Sequence, residues 1–177
     1  MTGPAEQAAR ILLVGMMGSG KSSVGRALSE LTGWPFVDND VLVERVTGTT
    51  ARQLLEQQGA DAMRRAEAAA LVAGTELEPP AIVATAAGTI LDPDNRSRIA
   101  SAGFVAWLRA PATVLGARAV GAAHRPWLDD DPDGWFERAL AERDALYASV
   151  ADLEVDTSVA TPEEAAEAIL RATTIGR

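Results

Sequence analysis

A glycine-rich segment at residues 15–22 carries residue types that bind phosphate. Its sequence, G-M-M-G-S-G-K-S, fits the pattern G-x-x-x-x-G-K-[ST]. In that pattern glycines let backbone N–H groups converge on phosphate oxygens, the lysine reaches the β and γ phosphates, and the last hydroxyl can ligate Mg²⁺. Lys21 and Ser22 therefore predict a nucleoside triphosphate site, and the alternative is a glycine-rich turn that binds nothing.

Two carboxylates, Asp38 and Asp40, follow a second predicted strand at 35–37. Phosphoryl transfer needs a Mg²⁺ ligand and a group that orients the acceptor. Ligands bind at the carboxyl ends of strands in open α/β sheets, and a spacing of two residues lets one carboxylate face the metal and the other the acceptor. The alternative role is capping of the helix that follows. We expect Asp38 and Asp40 to be functional.

Strand and helix patterns alternate along the whole chain. The apolar run 11–14 predicts a buried strand that ends at the phosphate segment, and 22–31 predicts a helix with Val24, Leu28 and Leu31 on one face. Later strands are predicted over 81–84, 104–108 and 153–155. The alternation indicates a single α/β domain, residues 1–177, with helices packed on a parallel sheet.

Glycine and proline residues mark the predicted ends of helices and the loops between them. Two or three short helices fit 41–74, with breaks at Gly48 and Gly59. The segment 121–134 is rich in Gly, Pro and Asp and predicts a mobile loop. The last helix is expected to begin at Pro162.

Composition narrows the classes of protein and of partner. The chain has 177 residues, a formal net charge of −9 and no cysteine, which excludes disulfides, thiol nucleophiles and thiolate metal sites. An acidic chain has no basic field for nucleic acid or an anionic bilayer. The longest apolar run, 81–91, is interrupted by polar residues and too short to span a membrane. We expect a cytoplasmic monomer that acts without nucleic acid or membrane.

Motifs over residues 11–170 resemble those of the shikimate kinases. Besides the phosphate segment, the similar motifs are D-N-D at 38–40, M-R-R-A-E at 63–67, H-R-P-W-L at 124–128, and R-D-A-L-Y at 143–147. Arg118, with residues 155–157 and Pro162, resembles the adenine-binding residues of that family. The resemblance implies a three-layer P-loop kinase fold with a five-stranded parallel sheet in the order 2-3-1-4-5, flanked by helices.

The resemblance also implies the reaction and the regions that perform it. The γ-phosphoryl group of ATP would be transferred, with Mg²⁺, to a hydroxyl of shikimate, a small hydroxylated carboxylate. The phosphate loop would be 15–22, the acceptor-binding helices about 38–70, and a mobile lid about 119–134. Arginine suits the acceptor, because its guanidinium can grip a carboxylate with two hydrogen bonds.

Individual roles follow from the resemblance and the phosphate motif. The catalytic residues would be Lys21, Asp40 and Arg125. The residues that bind the nucleotide would be Gly15, Gly18, Ser19, Gly20, Lys21, Ser22, Ser23, Arg118 and Pro162. The residues that bind the acceptor would be Asp40, Arg64, Glu67, Ala87, Gly88, Arg125 and Arg143. Ser22 and Asp38 would serve Mg²⁺. On residue type alone, Arg64 and Arg143 are more typical of solvated helix charges, and it is the resemblance that makes them ligands.

The sequence departs from the family pattern on the acceptor side. The family has three glycines where this chain has Ala86-Ala87-Gly88, and a phenylalanine where it has Met63. Alanine resists positive φ and adds a methyl group, so the acceptor pocket could be narrower or reshaped. Trp135 is expected to be a packing residue, whereas Trp127 would cover the acceptor. A kinase for another hydroxylated acid, such as a gluconate-like sugar acid, and a nucleotide-binding paralogue without shikimate activity remain alternatives.

Overall fold

The computed structural model describes residues 10–119 and 131–175. Within them a parallel sheet has five strands in the order β2-β3-β1-β4-β5, as the family resemblance implied. The strands are β1 (Arg10–Val14), β2 (Phe36–Val37), β3 (Ala81–Ala84), β4 (Phe104–Arg109) and β5 (Leu153–Asp156).

Helices connect the strands on both faces of the sheet. They are α1 (Lys21–Thr32), α2 (Asn39–Thr47), α3 (Ala51–Gln58), α4 (Ala60–Thr75), α5 (Pro93–Ala102), α6 (Ala112–Ala119), α7 (Pro132–Ala148) and α8 (Pro162–Ile175). Gly48 and Gly59 end α2 and α3, as predicted. None of the helices in the described parts of the chain has the length and apolarity that a membrane span requires.

The central strand β1 is covered on both faces, which explains its unbroken apolar sequence. Leu12 and Val14 pack into a cluster with α5, α6 and α7, whereas Ile11 and Leu13 pack into a second cluster with α1 and α8. Side chains of a strand point alternately to the two faces, so four consecutive apolar residues supply both layers. A third cluster joins α2, α3 and α4 to the β2–β3 end of the sheet.

On the predicted face of α1, Val24 and Leu28 are buried, whereas Leu31 is 53% exposed. One local prediction is wrong: the loop predicted over 121–134 ends earlier, since α7 begins at Pro132. The Asp131 carboxylate caps α7 by accepting a hydrogen bond from the Gly134 N–H at 3.0 Å, and proline is favoured at the first helical position.

Candidate active site

The phosphate loop joins β1 to α1 and depends on glycine for its conformation. Gly15, Gly18 and Gly20 have φ angles of 141°, 77° and 94°. A Cβ at Gly15 would lie 2.3 Å from the Leu108 carbonyl oxygen, so even alanine would collide with the backbone of β4. Gly20 is the N-cap of α1, which leaves the first N–H groups of that helix directed at the loop. This N-terminus is suited to binding an anion.

Lys21 holds its ammonium group against the same loop. Its Nζ donates hydrogen bonds to the carbonyl oxygens of Gly15 and Met16, each at 2.8 Å. The positive charge therefore lies beside the backbone that would surround a phosphate chain.

Ser22 and Asp38 meet between α1 and the end of β2. The Ser22 hydroxyl donates a hydrogen bond to Asp38 Oδ2. Asp38 occupies the N-cap position of α2, yet among the described residues no backbone N–H of α2 bonds to its carboxylate. Its side chain is thus directed to the phosphate loop rather than to its own helix. A hydroxyl and a carboxylate oxygen are ligands that Mg²⁺ accepts.

Ser22 and Asp38 alone offer too few ligands to complete the coordination of a metal ion. In the described parts of the chain no three His, Asp or Glu side chains cluster closely enough to hold a metal ion by themselves. Ser22 and Asp38 therefore fit a Mg²⁺ ion that takes its remaining ligands from nucleotide phosphates and water, which is the usual arrangement in kinases.

A cavity of about 850 Å³ extends from the phosphate loop to α4 and α7. The residues with predicted roles that line it are Gly18, Gly20, Lys21, Ser22, Ser23, Asp38, Asp40, Arg64, Glu67, Ala87, Gly88, Arg118, Arg143 and Pro162. Ser19 is fully buried within the loop, and its carbonyl oxygen accepts a hydrogen bond from the Thr157 hydroxyl at 2.9 Å. Arg125 lies outside the described residues, as do His124 and Trp127.

The nucleotide end of the cavity is built by α6 and the turn after β5. Arg118 donates hydrogen bonds to the Gly18 carbonyl oxygen at 3.2 Å and to the Thr157 carbonyl oxygen at 2.7 Å. Hydrogen bonds from Ser158 lower the pKa of Asp156 and order the turn. Arg118 and Pro162 both line the cavity.

The two predicted carboxylate-binding arginines differ in environment. Arg64, on α4, has a side chain 68% exposed and lies 3.5 Å from Asp61 Oδ1. Arg143, on α7, is only 14% exposed, and its Nη1 lies 3.8 Å from the sulfur of Met16 in the phosphate loop. Arg143 is therefore not the solvated helix charge that its residue type alone would allow.

The acceptor loop at residues 86–88 is free of backbone strain. No non-glycine residue in the described ranges has a positive φ, and Gly88 itself has a φ of −81°. Neither alanine therefore needs the left-handed conformation that alanine resists, so the departure from three glycines imposes no backbone strain here. Its remaining effect is steric, since Ala87 adds its methyl group to the cavity wall.

Trp135 is the functional candidate that the sequence analysis missed. It packs against a buried hydrophobic cluster, as expected, but it also lines the cavity, and the Arg143 guanidinium carbon lies 5.9 Å from the centroid of its ring. By contrast Trp107 is buried and stacks on Tyr147, with ring centroids 5.8 Å apart. The one signal for Trp135 in the sequence is its spacing of eight residues from Arg143, which puts both on one helix face.

Phosphoryl transfer is the chemistry that this arrangement suits, and the fold and the cavity together define a small-molecule kinase of the P-loop class. The family model described as shikimate kinase matches residues 17–174. The chain belongs to the shikimate kinase family.

Individual relatives agree with this assignment. The shikimate kinase of Halorhodospira halophila is 38% identical over 164 residues, which cover 92% of each protein. The structure of a shikimate kinase from Acinetobacter baumannii in complex with shikimate superposes with a TM-score of 0.89 at 32% identity, covering 97% of this chain and 96% of that one. A gluconokinase from Sinorhizobium meliloti shares the fold, with a TM-score of 0.65 at 23% identity, covering 95% of this chain and 93% of that one.

Proposed function

We propose that this chain transfers the γ-phosphoryl group of Mg-ATP to a ring hydroxyl of shikimate, giving shikimate 3-phosphate. The observation that carries the proposal is the cavity in which the phosphate loop and the two candidate carboxylate-binding arginines, Arg64 and Arg143, face a common space. Family membership and the shikimate-bound relative support the choice of acceptor.

The phosphate side of the reaction uses the loop and its charged neighbours. Backbone N–H groups of residues 15–22 hold the phosphates, and Lys21 neutralises charge that develops on the transferred group. Arg125, outside the described residues, is assigned the same task from the lid. Ser22 and Asp38 hold Mg²⁺, which when bound offsets the negative charge of the β and γ phosphates. Arg118 and Pro162 enclose the adenine.

The acceptor side orients one hydroxyl and grips one carboxylate. Asp40 lies in the first turn of α2 and lines the cavity, where it orients or deprotonates the acceptor hydroxyl. Arg64 and Arg143 bind the carboxylate. Glu67, close to Gly88, supports the pocket, and the N–H groups of Ala87 and Gly88 face the acceptor.

The proposed reaction needs a single copy of the chain. The described residues of a single chain are enough to form the cavity, and its hydrophobic clusters surround one sheet, so we propose a monomeric enzyme with one kinase domain. We place it in the cytoplasm, where ATP is available.

Two alternatives use the same phosphate site. A kinase for a gluconate-like acid would share the fold, as the gluconokinase neighbour does, and a paralogue without acceptor chemistry would bind nucleotide alone. The unstrained backbone at Ala86 and Ala87 argues against a collapsed acceptor loop.

ADP release measured with shikimate, quinate, gluconate or no acceptor separates these possibilities. We expect turnover that depends on shikimate and is abolished by Lys21→Met. Preferred turnover of gluconate would favour the first alternative. Nucleotide binding without acceptor-dependent turnover would favour the second.

A chemical label tests the phosphate site independently of turnover. Lys21 is the only lysine in the chain, so an amine-selective reagent can modify only Lys21 and the α-amino group. ATP with Mg²⁺ should protect Lys21, located by peptide mapping, while labelling of the α-amino group continues. Equal labelling of Lys21 with and without nucleotide would refute its placement beside the phosphates.

A further inference from the structure

We propose that Trp135 is a positioning residue for Arg143: its indole ring fixes the guanidinium at the acceptor end of the cavity and so sets the affinity for an anionic acceptor. This inference rests on the proposed function for the identity of the acceptor. Its geometric basis, an arginine over the face of a cavity-lining tryptophan, stands on the structure alone.

The register of α7 brings the two side chains together. Residues 135, 139 and 143 follow at intervals of four and lie on one helix face. Trp135 and Arg143 are separated by about 12 Å along the helix axis, at about 1.5 Å per residue. Long side chains on a helix lean toward its N-terminus, so Arg143 extends back toward Trp135. Ala139, buried between them, is small enough to leave that path open.

The indole is held in place from its other side. Trp135 and Phe136 make an edge-to-face contact, with ring centroids 5.0 Å apart and an interplanar angle of 88°. Phe136 is fully buried in the cluster that includes Trp107 and Tyr147. The half-buried Trp135 ring is therefore a fixed surface on which the guanidinium can rest.

The contacts of Arg143 hold it without cancelling its charge. The Trp135 ring and the Met16 sulfur, 3.8 Å from Nη1, are both uncharged. Among the described residues, the carboxylate that pairs with the guanidinium is that of Glu142, which approaches Nε at 3.5 Å from a side chain that is 59% exposed, so water screens it. The Arg143 side chain is mostly shielded from water, which strengthens its attraction to the ring.

Loss of the contact between Trp135 and Arg143 should weaken acceptor binding. If the ring is lost, the guanidinium gains rotamer freedom that acceptor binding must then remove. Cation–π contacts of partly desolvated arginines correspond to about a 5- to 30-fold effect on an equilibrium constant. Lys21 and Arg118 take no part in this contact, and the phosphate loop meets Arg143 through the Met16 side chain, so nucleotide affinity should change little.

The kinetic test compares Trp135→Leu with Trp135→Phe. Both keep apolar bulk, but only phenylalanine keeps an aromatic face. We expect Trp135→Leu to raise the KM for shikimate about 5- to 30-fold, Trp135→Phe to restore most of that loss, and the KM for ATP to stay constant in both. Trp34→Phe, which alters a tryptophan packed against the cluster on the α1 and α8 face of the sheet, is the matched control. An unchanged shikimate KM in Trp135→Leu, or parallel rises in both KM values, would overturn the proposal.

A spectroscopic test needs no substrate and separates this proposal from the proposed function. Replacing Arg143 by alanine should change the emission of Trp135, because a cation is removed from its ring. The same replacement in the Trp135→Phe background should leave the emission of the other tryptophans unchanged. Equal changes in the two backgrounds would refute the contact, whereas wild-type protein that fails to phosphorylate shikimate would refute the acceptor assignment only.

Discussion

The Tyr147 hydroxyl donates a hydrogen bond to the carbonyl oxygen of Ala87 at 2.8 Å, which ties α7 to the acceptor loop. The same hydroxyl lies 3.9 Å from the Met16 sulfur in the phosphate loop. Tyr147 is buried and therefore cannot exchange these partners for water. Three segments that are distant in the sequence, the phosphate loop, the acceptor loop and α7, thus meet at one phenol.

Tyr147→Phe should destabilise the protein and weaken acceptor binding. The change removes one hydrogen bond and leaves the half-buried Ala87 carbonyl without this partner, a cost of about 0.5–1.5 kcal/mol. We expect a lower midpoint of urea unfolding and a several-fold higher KM for shikimate, with the KM for ATP little changed. An equally stable variant with unaltered kinetics would show that the hydrogen bond does not hold the loop.

The ionisation of Tyr147 gives a pH dependence of stability that can be assigned to one residue. Burial raises the pKa of Tyr147 above its ordinary value, and this is the only tyrosine in the chain. Above pH of about 10 the unfolded chain loses a proton that the folded protein keeps, so the free energy of unfolding falls as pH rises. Below that pH the contribution is constant.

Alkaline unfolding curves of wild type and Tyr147→Phe measure this effect. The stability of the wild type should decline more steeply above pH of about 10, because the variant lacks the ionisable phenol while both proteins keep Lys21. Tyrosinate absorbance should appear only as the protein unfolds. Tyrosinate formation in the folded protein near its ordinary pKa would contradict the burial of this phenol.

Substitutions of Asp38 and Asp40 should have different effects on the Mg²⁺ dependence of turnover. Asp38 contacts Ser22 at the phosphate loop, whereas Asp40 lines the cavity from the first turn of α2. Asp38→Asn should raise the Mg²⁺ concentration needed for half-maximal turnover. Asp40→Asn should abolish transfer and leave nucleotide affinity nearly unchanged. Titrating Mg²⁺ against both variants decides between these roles, and the reverse pattern would exchange them.

Arg143 should contribute more to acceptor affinity than Arg64. A charge-assisted hydrogen bond in a shielded site is worth about 1.5–3 kcal/mol, so Arg143→Ala should raise the shikimate KM about 10- to 150-fold. Arg64 is exposed and paired with Asp61, so water screens its interaction and Arg64→Ala should have a smaller effect. Asp61→Ala serves as the control for loss of the ion pair. An acceptor that lacks a carboxylate and works equally well would defeat the assignment of both arginines.

The fold and the phosphate site could be predicted because their signals are local. The apolar run 11–14 and the motif at 15–22 each consist of consecutive residues, so a short stretch of sequence is enough to predict the strand and the loop that follows it. The order of the strands in the sheet depends on contacts between distant segments, so it was inferred from the family resemblance. Leu31 shows the limit of periodicity, which identifies a helix face but not where the covering layer ends.

The acceptor side depended on tertiary contacts that no local pattern encodes. An aspartate at the start of a helix can cap it or face a neighbour, and the packing of α1 against β2 decides this for Asp38. Likewise a tryptophan on a buried helix face can meet the core or a cavity. For Trp135 the answer depends on Arg143, whose guanidinium lies over the indole ring and also contacts Met16 of the phosphate loop.

Replacing Ala86 and Ala87 by glycine tests the acceptor loop itself. Both alanines adopt ordinary backbone conformations, so glycine relieves no strain and increases the freedom of the unfolded chain. Each substitution should destabilise the protein by about 0.4–1 kcal/mol, with some further loss at Ala86, whose methyl group is buried. We expect turnover of shikimate to change little, because the N–H groups keep their directions. A large gain in kcat/KM for shikimate would show instead that the Ala87 methyl group obstructs this acceptor, and the panel of hydroxylated acids should then reveal one that the wild type prefers.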